Sequence, residues 1–193
     1  MISFLLPSKN EPKVQETVKR VEEFCIMEKI ECQIIICNDR EGKGKGWAVR
    51  ECLKHAKGDL ICFLDGDGDI EPRMVKRLFP FLDDYDVAVG VKPISGLWSR
   101  RILTYLSRIY LAILFNIKVD SQTGIKLFKR YVLDYTWYSD GWLYDLEILH
   151  DAKQRGVRMC EVPIECNINK GVKGKALWRT LKESITLYLE TRD

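Results

Sequence analysis

Short apolar segments alternate with segments of helical spacing along the chain, and this alternation constrains the fold more than any other feature. The apolar segments of the first half are residues 2–6, 33–37, 60–64 and 87–91. Between them, the spacing of apolar residues predicts helices at 13–29, 47–56 and 74–82. Strands that alternate with helices in this way predict an α/β fold with a mainly parallel sheet.

The second half of the chain is less regular. Its apolar spacing predicts a long amphipathic helix over 97–116, a helix at 144–154 and a terminal amphipathic helix over 176–190. Short strands are expected at 125–128 and 157–162. A chain of 193 residues without an evident linker or internal repeat fits one domain, so we expect residues 1–193 to fold as a single unit.

Composition and charge exclude several classes of protein. With 46% hydrophobic and 31% charged residues, the chain is globular and not disordered. Its net charge of +3 comes without a dense basic run interleaved with aromatic residues, which argues against nucleic-acid binding. The longest unbroken apolar run, 109–115, is far shorter than the roughly 20 residues that cross a bilayer.

Cysteine usage points to a reducing compartment. The chain has 7 cysteines, an odd number, and several of them lie inside apolar segments, where buried free thiols are expected. The chain begins with a strand-like segment instead of a basic segment followed by a signal sequence. We therefore expect a cytoplasmic protein, with contact to the cytoplasmic face of a membrane left open.

Three polar loops follow the predicted strands, at residues 7–12, 38–46 and 65–72. Ligands of α/β sheets bind beyond the carboxyl ends of the strands, which is where these loops begin. We therefore expect the three loops to surround one ligand site.

The third loop opens with Asp65, Asp67 and Asp69 directly after a buried strand. Three neighbouring carboxylates repel one another, and a divalent cation that prefers hard oxygen ligands, Mg²⁺ or Mn²⁺, relieves that repulsion. An EF-hand is excluded because its sixth and twelfth positions hold Ile70 and Lys76 instead of glycine and glutamate. A solvated turn with capping aspartates is the alternative to a metal site.

The second loop alternates glycine with lysine over residues 41–46. Flexible backbone amides and ammonium groups of this kind can cradle a phosphate. The loop is not a Walker A motif, because Lys45 is followed by Gly46 instead of serine or threonine. A mobile surface loop is the alternative reading.

Taken in order, these motifs resemble those of family-2 glycosyltransferases. Residues 3–11 resemble the family's opening strand and Pro-x-x-Asn-Glu turn, 44–50 its Gly-Lys-Gly loop, and 58–72 its Gly-Asp, strand and Asp-x-Asp segment. Residues 120–128 are similar to the Asp-x-x-Ser/Thr-Gly-Phe-x-x-Phe stretch of the polyprenyl-phosphate sugar synthases. Residues 145–163 resemble their Glu-x-Leu helix and Glu-Val-Pro strand, and the subgroup most similar to the chain is the dolichol-phosphate mannose synthase-like one.

The resemblance implies a GT-A fold, in which a mainly parallel mixed sheet is flanked by helices. It also implies an inverting transfer of a hexose, mannose or glucose, from GDP-mannose or a UDP-sugar. Residues 1–91 would bind the donor and the metal, and 92–193 the acceptor. The residues expected at the donor are Pro7, Asn10, Glu11, Asp39, Lys45 and Asp65. The expected ligands of Mg²⁺ or Mn²⁺ are Asp65, Asp67 and Asp69, and Asp67 is also a candidate catalytic residue.

The preferred acceptor is a polyprenyl or dolichyl phosphate, which is already an anion and needs no general base. A sugar hydroxyl of a glycan or glycolipid would need a carboxylate to take its proton, and Asp145 and Glu147 are the candidates. The residues expected at the acceptor or at phosphates are Arg101, Thr123, Lys173 and Lys175. Arg101 belongs to the amphipathic helix 97–116, which can lie at a membrane interface and hold a lipid phosphate.

Two further classes are weighed against an enzyme of this kind. A nucleotidyltransferase needs a glycine-rich first loop, and residues 7–12 contain no glycine. A non-catalytic nucleotide-sugar binder stays open because the 38–46 loop is shorter than in the family and lacks its Asp-x-Ser continuation. The same departure leaves the base of the donor undecided, and the sequence does not indicate an oligomeric state.

Overall fold

A computed structural model of the chain describes residues 1–8, 12–39, 42–92, 105–106, 109–110, 112–121, 123–134, 139–166, 184–185 and 188. Predictions that fall elsewhere lie outside the described residues.

Six strands form one sheet in the described part of the chain. They are β1 (Ile2–Ser8), β2 (Cys32–Asn38), β3 (Leu60–Leu64), β4 (Val87–Val91), β5 (Ile125–Lys129) and β6 (Met159–Pro163). Their order across the sheet is β2-β1-β3-β5-β4-β6. Strand β5 is antiparallel to both of its neighbours, and the other pairs are parallel. The predicted α/β fold with a mainly parallel mixed sheet is therefore confirmed.

The reversed direction of β5 decides what lies at the carboxyl edge of the sheet. Leu64, the last residue of β3, is opposite Ile125, the first residue of β5. Residues 123–124, which come just before β5, are therefore at the same edge as the residues that follow β1, β2 and β3. Contacts between distant parts of the sequence follow from this register.

Helices cover both faces of the sheet and bury the apolar side chains of its strands. They are α1 (Val14–Glu28), α2 (Lys45–Leu53) and α3 (Tyr144–Gln154). Helix α1 packs with two 3₁₀ segments on one face, in a cluster that includes Phe4, Phe24 and Leu78. Helices α2 and α3 pack on the other face, around Phe63 and Leu146. Because both faces are covered, the strands are mostly apolar, as parallel sheets require.

The helix predicted at 74–82 is wrong in type. The structure has two 3₁₀ helices there, Pro72–Arg77 and Phe79–Asp83. Pro80 has no N–H to donate and disfavours a helical conformation at the residue before it, so a continuous α-helix cannot pass this point.

Two other boundaries differ by a few residues, for local reasons. Helix α2 ends at Leu53 instead of residue 56, because residues 54–56 form tighter turns in which each N–H donates to the carbonyl three residues earlier. Strand β6 begins at Met159 instead of 157, because the Val157 N–H donates to the Ala152 carbonyl at 2.9 Å and closes the end of α3.

The two predicted amphipathic helices are described only in part. Residues 105–106, 109–110 and 112–115 are helical, as are 184–185 and 188. The Tyr110 hydroxyl lies 3.0 Å from the Ser184 hydroxyl, so these segments are in contact. Within the described ranges, no helix has the length and hydropathy needed to cross a membrane. All seven cysteines are free thiols, as expected.

We expect the aromatic centre of the core to dominate stability. Phe128 is 1% exposed and its ring centroid lies 4.9 Å from that of Phe63. Phe128→Ala should lower the free energy of unfolding by about 3–5 kcal/mol, because it leaves a cavity in a packed interior. Phe81, at 38% exposed, is the matched control, and its replacement by alanine should cost well under half as much in urea denaturation. Equal losses for the two variants would contradict this description of the core.

Candidate active site

A cavity of about 240 Å³ lies at the carboxyl edge of the sheet. This volume is slightly below the roughly 300–1,000 Å³ of typical ligand pockets. The described residues that line it are Pro7, Ser8, Cys37, Asp39, Gly44, Lys45, Ala48, Asp65, Gly66, Asp67 and Trp142. All three predicted loops contribute to this set, so their predicted convergence is confirmed.

Parallel strands place residues of the three loops side by side at the cavity. Pro7 lies near the end of β1, Asp39 follows β2 directly, and Asp65 follows β3 directly. Since β1 pairs with both β2 and β3 in parallel register, the three strands end at one edge. The sheet therefore brings together side chains that are up to about 60 residues apart in sequence.

Lys45 and Asp65 form an ion pair at the centre of the cavity, with 2.6 Å between Lys45 Nζ and Asp65 Oδ1. Burial by itself lowers the pKa of Lys45, but the carboxylates of Asp65, Asp145 and Asp67 outweigh burial and raise it. Burial by itself raises the pKa of Asp65, but Lys45, with help from lysines at 126 and 92, outweighs burial and lowers it. Both members of the pair are therefore charged near neutral pH.

Gly124 allows the Asp65 carboxylate to occupy its position. The Asp65 N–H donates to the Gly124 carbonyl at 2.8 Å, so the two residues continue the β3–β5 ladder beyond its last strand pair. A Cβ atom on Gly124 would overlap the Asp65 carboxylate. The glycine of this sequence motif is therefore needed for the close approach of backbone to carboxylate.

The Gly-Lys-Gly loop is docked on the segment that precedes α3. The Gly46 N–H donates to the Asp140 carbonyl at 2.8 Å, and the Gly44 N–H donates to Asp39 Oδ2 at 3.0 Å. A Cβ atom on Gly44 or Gly46 would overlap backbone carbonyls of residues 139–140. These two amides are thus directed at protein acceptors and do not form the phosphate cradle that we considered. Gly44 and Lys45 are the residues of this loop that line the cavity, and Lys45 is the one that brings a charge.

Asp39 presents an unsatisfied oxygen. The residue is 6% exposed, and its Oδ1 has no hydrogen-bond partner among the described residues. A buried carboxylate oxygen without a donor is costly, so such an atom at a cavity wall calls for a ligand that donates to it.

The structure does not gather the three predicted metal ligands. Asp65 and Asp67 line the cavity, whereas Asp69 does not. The Asp69 N–H donates to Asp67 Oδ1 at 3.1 Å, a local turn in which one carboxylate caps the next residues. In the part of the chain that is described, no three acidic, His or Cys side chains are arranged to hold a metal. Carboxylate oxygens, such as those of Asp65 and Asp67, suit Mg²⁺ or Mn²⁺. In the structure, the positive charge beside Asp65 is the Lys45 ammonium.

The two candidate general bases do not line the cavity. Glu147 is 3% exposed, and its Oε2 accepts a hydrogen bond from the Ser139 N–H at 2.8 Å. Asp145 Oδ2 lies 3.2 Å from the Nζ of Lys126, and burial, only partly offset by Lys126 and Lys45, raises the pKa of Asp145. Both carboxylates are thus engaged in holding the chain segments around the cavity.

Lys126 is a buried cation that the sequence analysis missed. Its side chain is 1% exposed, and besides the Asp145 carboxylate it contacts the Thr123 carbonyl at 2.5 Å. The available signal was a lysine inside the apolar strand segment 125–128, a position that a charge occupies only when it is paired. Thr123, predicted at a phosphate, is 2% exposed and is not among the residues that line the cavity.

Trp142 was also missed, although it lines the cavity. It comes three residues before the Asp145-x-Glu147 motif. The available sequence signal was a tryptophan so close to a motif with two candidate catalytic carboxylates. Five predicted site residues lie outside the described residues, and their roles stay predictions: Asn10, Glu11, Arg101, Lys173 and Lys175.

Comparison with protein families decides the affiliation of the chain. The model of glycosyl transferase family 2 matches residues 12–137. The chain belongs to this family. The resemblance of its motifs to family-2 glycosyltransferases is thereby confirmed.

Curated relatives of this family 2 chain include dolichyl-phosphate beta-glucosyltransferases. The Saccharomyces cerevisiae protein is 26% identical over 165 residues, and the Drosophila melanogaster protein is 28% identical over 168 residues. These alignments cover 73% and 77% of the chain, but only 49% and 51% of the relatives. The chain therefore spans about half the length of these relatives.

Solved structures share the fold at lower sequence identity. Mannosyl-3-phosphoglycerate synthase from Rubrobacter xylanophilus superposes with a TM-score of 0.79 at 17% identity, covering 97% of this chain and 72% of that one. Glucosyl-3-phosphoglycerate synthase from Mycobacterium tuberculosis, in complex with Mn²⁺, UDP-glucose and phosphoglyceric acid, gives a TM-score of 0.77 at 18% identity, covering 100% and 79%. These neighbours confirm the predicted GT-A fold.

The docking of the Gly-Lys-Gly loop generates a stability prediction. Gly46→Ala should lower the free energy of unfolding by about 1–3 kcal/mol, because the added methyl meets the backbone of residue 139, which cannot rotate away. Urea denaturation measures this loss. Gly42→Asn is the control: no described heavy atom lies within 4 Å of its Cβ position, and asparagine tolerates the φ of +69° found there. A Gly46→Ala variant as stable as this control would show that the loop is not docked as described.

Proposed function

We propose that the chain transfers a hexose, glucose or mannose, from a nucleoside diphosphate sugar to a polyprenyl phosphate. The observation that carries the proposal is the cavity in which Asp39, Lys45, Asp65 and Asp67 meet at the carboxyl edge of the sheet. Such a site offers the Lys45 ammonium to a diphosphate, carboxylates to a divalent cation that binds with it, and an acceptor atom to a nucleoside. Membership of glycosyl transferase family 2 supports the same conclusion.

The names of relatives and fold neighbours support both substrates. The curated relatives are dolichyl-phosphate beta-glucosyltransferases, which favours a lipid phosphate as acceptor. A fold neighbour was solved with Mn²⁺ and UDP-glucose, which favours a UDP-sugar as the first donor to test. GDP-mannose is the second donor, because the short 38–46 loop leaves the base undecided.

Asp39 is assigned to the nucleoside of the donor. Its unsatisfied Oδ1 accepts a hydrogen bond, and both uracil and guanine carry a ring N–H that can donate one. Its other oxygen is held by the Gly44 amide at 3.0 Å, so the carboxylate is fixed in orientation before the ligand arrives.

Asp65 and Asp67 are assigned to a divalent cation. When bound, Mg²⁺ or Mn²⁺ there would neutralise the negative charge that accumulates on the departing nucleoside diphosphate. Asp65 and Asp67 both line the cavity, and the Lys45 ammonium, 2.6 Å from Asp65 Oδ1, adds a second positive charge there.

The state of the two buried carboxylates supports a phosphate as the acceptor. A hydroxyl acceptor needs a base that reaches it, and neither Asp145 nor Glu147 is among the described residues at the cavity wall. Glu147 accepts the Ser139 amide and Asp145 is paired with Lys126. A phosphate monoester is an anion at neutral pH and attacks without either of them.

An exposed apolar surface supports a lipid acceptor. Four apolar side chains are exposed here: Tyr105 (61%), Leu106 (55%), Ile109 (38%) and Ile113 (76%). All four are in helical conformation, and the last three follow Tyr105 by one, four and eight residues. This spacing places them on one side of the helix. Apolar side chains in such an arrangement are suited to a bilayer interface or to the polyprenyl chain.

A transfer assay tests the proposed function. Purified protein is incubated with Mn²⁺, radiolabelled UDP-glucose or GDP-mannose, and a short polyprenyl phosphate, and the label that extracts into organic solvent is measured. We expect transfer from one of the donors, and a loss of about 10²–10³-fold in kcat for Asp67→Asn, because charge stabilisation at the leaving group is removed. Polyprenol of the same length should accept no sugar.

The exposed Asp83 provides a matched control for this experiment. Asp83→Asn should transfer at the wild-type rate. Transfer to polyprenol or to a glycan, but not to the phosphate, would contradict the proposed acceptor. Donor binding without transfer to any acceptor would favour a non-catalytic nucleotide-sugar binder.

The Lys45–Asp65 pair leads to a second prediction. The ammonium and a divalent cation compete for the same carboxylate, so Lys45→Met should raise the affinity for Mn²⁺ alone by about tenfold, equivalent to roughly 1.4 kcal/mol. The same change should weaken the binding of UDP by at least about tenfold, since a cation facing the diphosphate is lost. Electron paramagnetic resonance of free Mn²⁺ measures the first effect and calorimetry the second.

Lys43 gives a matched control for this charge removal. Its ammonium lies over the Trp47 ring, 4.6 Å from the centroid, and it is not among the described residues at the cavity wall. Lys43→Met should leave both affinities unchanged within about twofold, because exposed charges act weakly. Weaker Mn²⁺ binding in Lys45→Met than in wild type would contradict the competition.

A further inference from the structure

Trp142 is a half-exposed aromatic side chain at the cavity wall. Its side chain is 53% exposed, and it is the only aromatic residue among the described residues that line the cavity. Large apolar side chains usually bury their surface, so an indole left open towards a polar cavity is unusual. Its surface is available to something that enters the cavity.

The backbone that carries Trp142 is fixed from several sides. Gly46 donates its N–H to the Asp140 carbonyl at 2.8 Å and to the Gly141 carbonyl at 3.1 Å. The Arg50 guanidinium pairs with the Asp140 carboxylate, and the Ser139 N–H donates to the buried Glu147 at 2.8 Å. An aromatic side chain on such a backbone contributes contact area without a large ordering cost on binding.

The position of the ring relative to the charges limits which part of a donor it meets. Lys45 Nζ lies 5.5 Å from the Trp142 ring centroid and 2.6 Å from Asp65 Oδ1. The indole is therefore next to the groups assigned to the diphosphate. The Asp39 carboxylate is held by the Gly44 N–H at 3.0 Å, just before Lys45 in the chain.

The order of elements across the sheet gives the direction of the donor. Asp39 follows β2, at the outer edge of the sheet, and Asp65 follows β3, two strands further in. Trp142 precedes α3, whose first residue, Tyr144, packs its ring 6.0 Å from that of Phe63 on β3. With the nucleoside at Asp39 and the diphosphate at Lys45 and Asp65, the group that continues towards Trp142 is the hexose.

We propose that Trp142 is the platform on which the hexose of the donor packs, an inference that rests on the proposed function. A pyranose ring has a face of C–H groups, and an indole covers such a face with apolar area while leaving the hydroxyl groups at the edge free to bond. The residue would thus contact the sugar and contribute to the choice of donor.

Binding measurements with matched ligands test the platform. Calorimetry in Mn²⁺ compares UDP with UDP-glucose, and GDP with GDP-mannose, for wild type, Trp142→Ala and Trp142→Phe. For the pair that binds, we expect Trp142→Ala to weaken the sugar nucleotide by about tenfold and to leave the nucleoside diphosphate unchanged within about twofold. Trp142→Phe should recover most of the loss, because a smaller aromatic ring remains.

Tyr131→Ala is the control, since Tyr131 is 49% exposed and is not among the described residues at the cavity wall. It should bind both ligands as wild type does. Equal weakening of both ligands by Trp142→Ala would place the indole on the nucleotide, and no weakening of either would remove it from the site; each result overturns the platform while wild-type binding stays intact. If the wild-type protein binds no nucleotide at all, the proposed function itself fails and the platform falls with it.

Discussion

The ion pair between Lys45 and Asp65 joins the first residue of α2 to the residue that follows β3, and the shape of the cavity depends on it. Its formation requires two close backbone approaches, at Gly46 against the segment before α3 and at Gly124 against the Asp65 carboxylate. The pair is charged because each partner, together with other charges nearby, outweighs the effect of burial on the other's pKa. The partly buried pair keeps a cation and a carboxylate in place until a ligand binds and takes over some of their contacts.

A second ion pair, between Lys126 and Asp145, has a structural role. Lys126 on β5 and Asp145 on α3 meet in the interior, where a single unpaired charge would be strongly destabilising. Together with Glu147, which holds the Ser139 amide, they fix the start of α3 and the segment before it. The acidic motif of this helix therefore acts on the geometry of the cavity wall, and this is the physical reason to favour an acceptor that needs no base.

The antiparallel strand β5 connects the fold to the site. Because it runs against β3, its first residues meet the last residues of β3, and Gly124 comes to lie beside Asp65. The same strand carries Lys126 under α3. In the proposed function the donor then extends from Asp39 past Lys45 and Asp65 towards Trp142, with each group supplied by a different element of the sheet or its loops.

The sequence by itself determined the strands, the α-helices and the three loops at the carboxyl edge, because these depend on local periodicity and on the parallel arrangement that alternation requires. The family motifs in the sequence also predicted Pro7, Asp39, Lys45, Asp65 and Asp67 at one site. All five line one cavity, and their roles stay predictions. The α-helix that apolar spacing predicted at 74–82 is wrong, because Pro80 interrupts it and the structure has two 3₁₀ helices there. Only the tertiary structure decided that Lys45 pairs with Asp65, that Asp69 does not line the cavity, and that Glu147 holds a backbone amide. Which residues become partners, as Lys45 and Asp65 or Ser139 and Glu147 do, depends on strand register and close packing. A pattern along the sequence gives neither the register nor the packing.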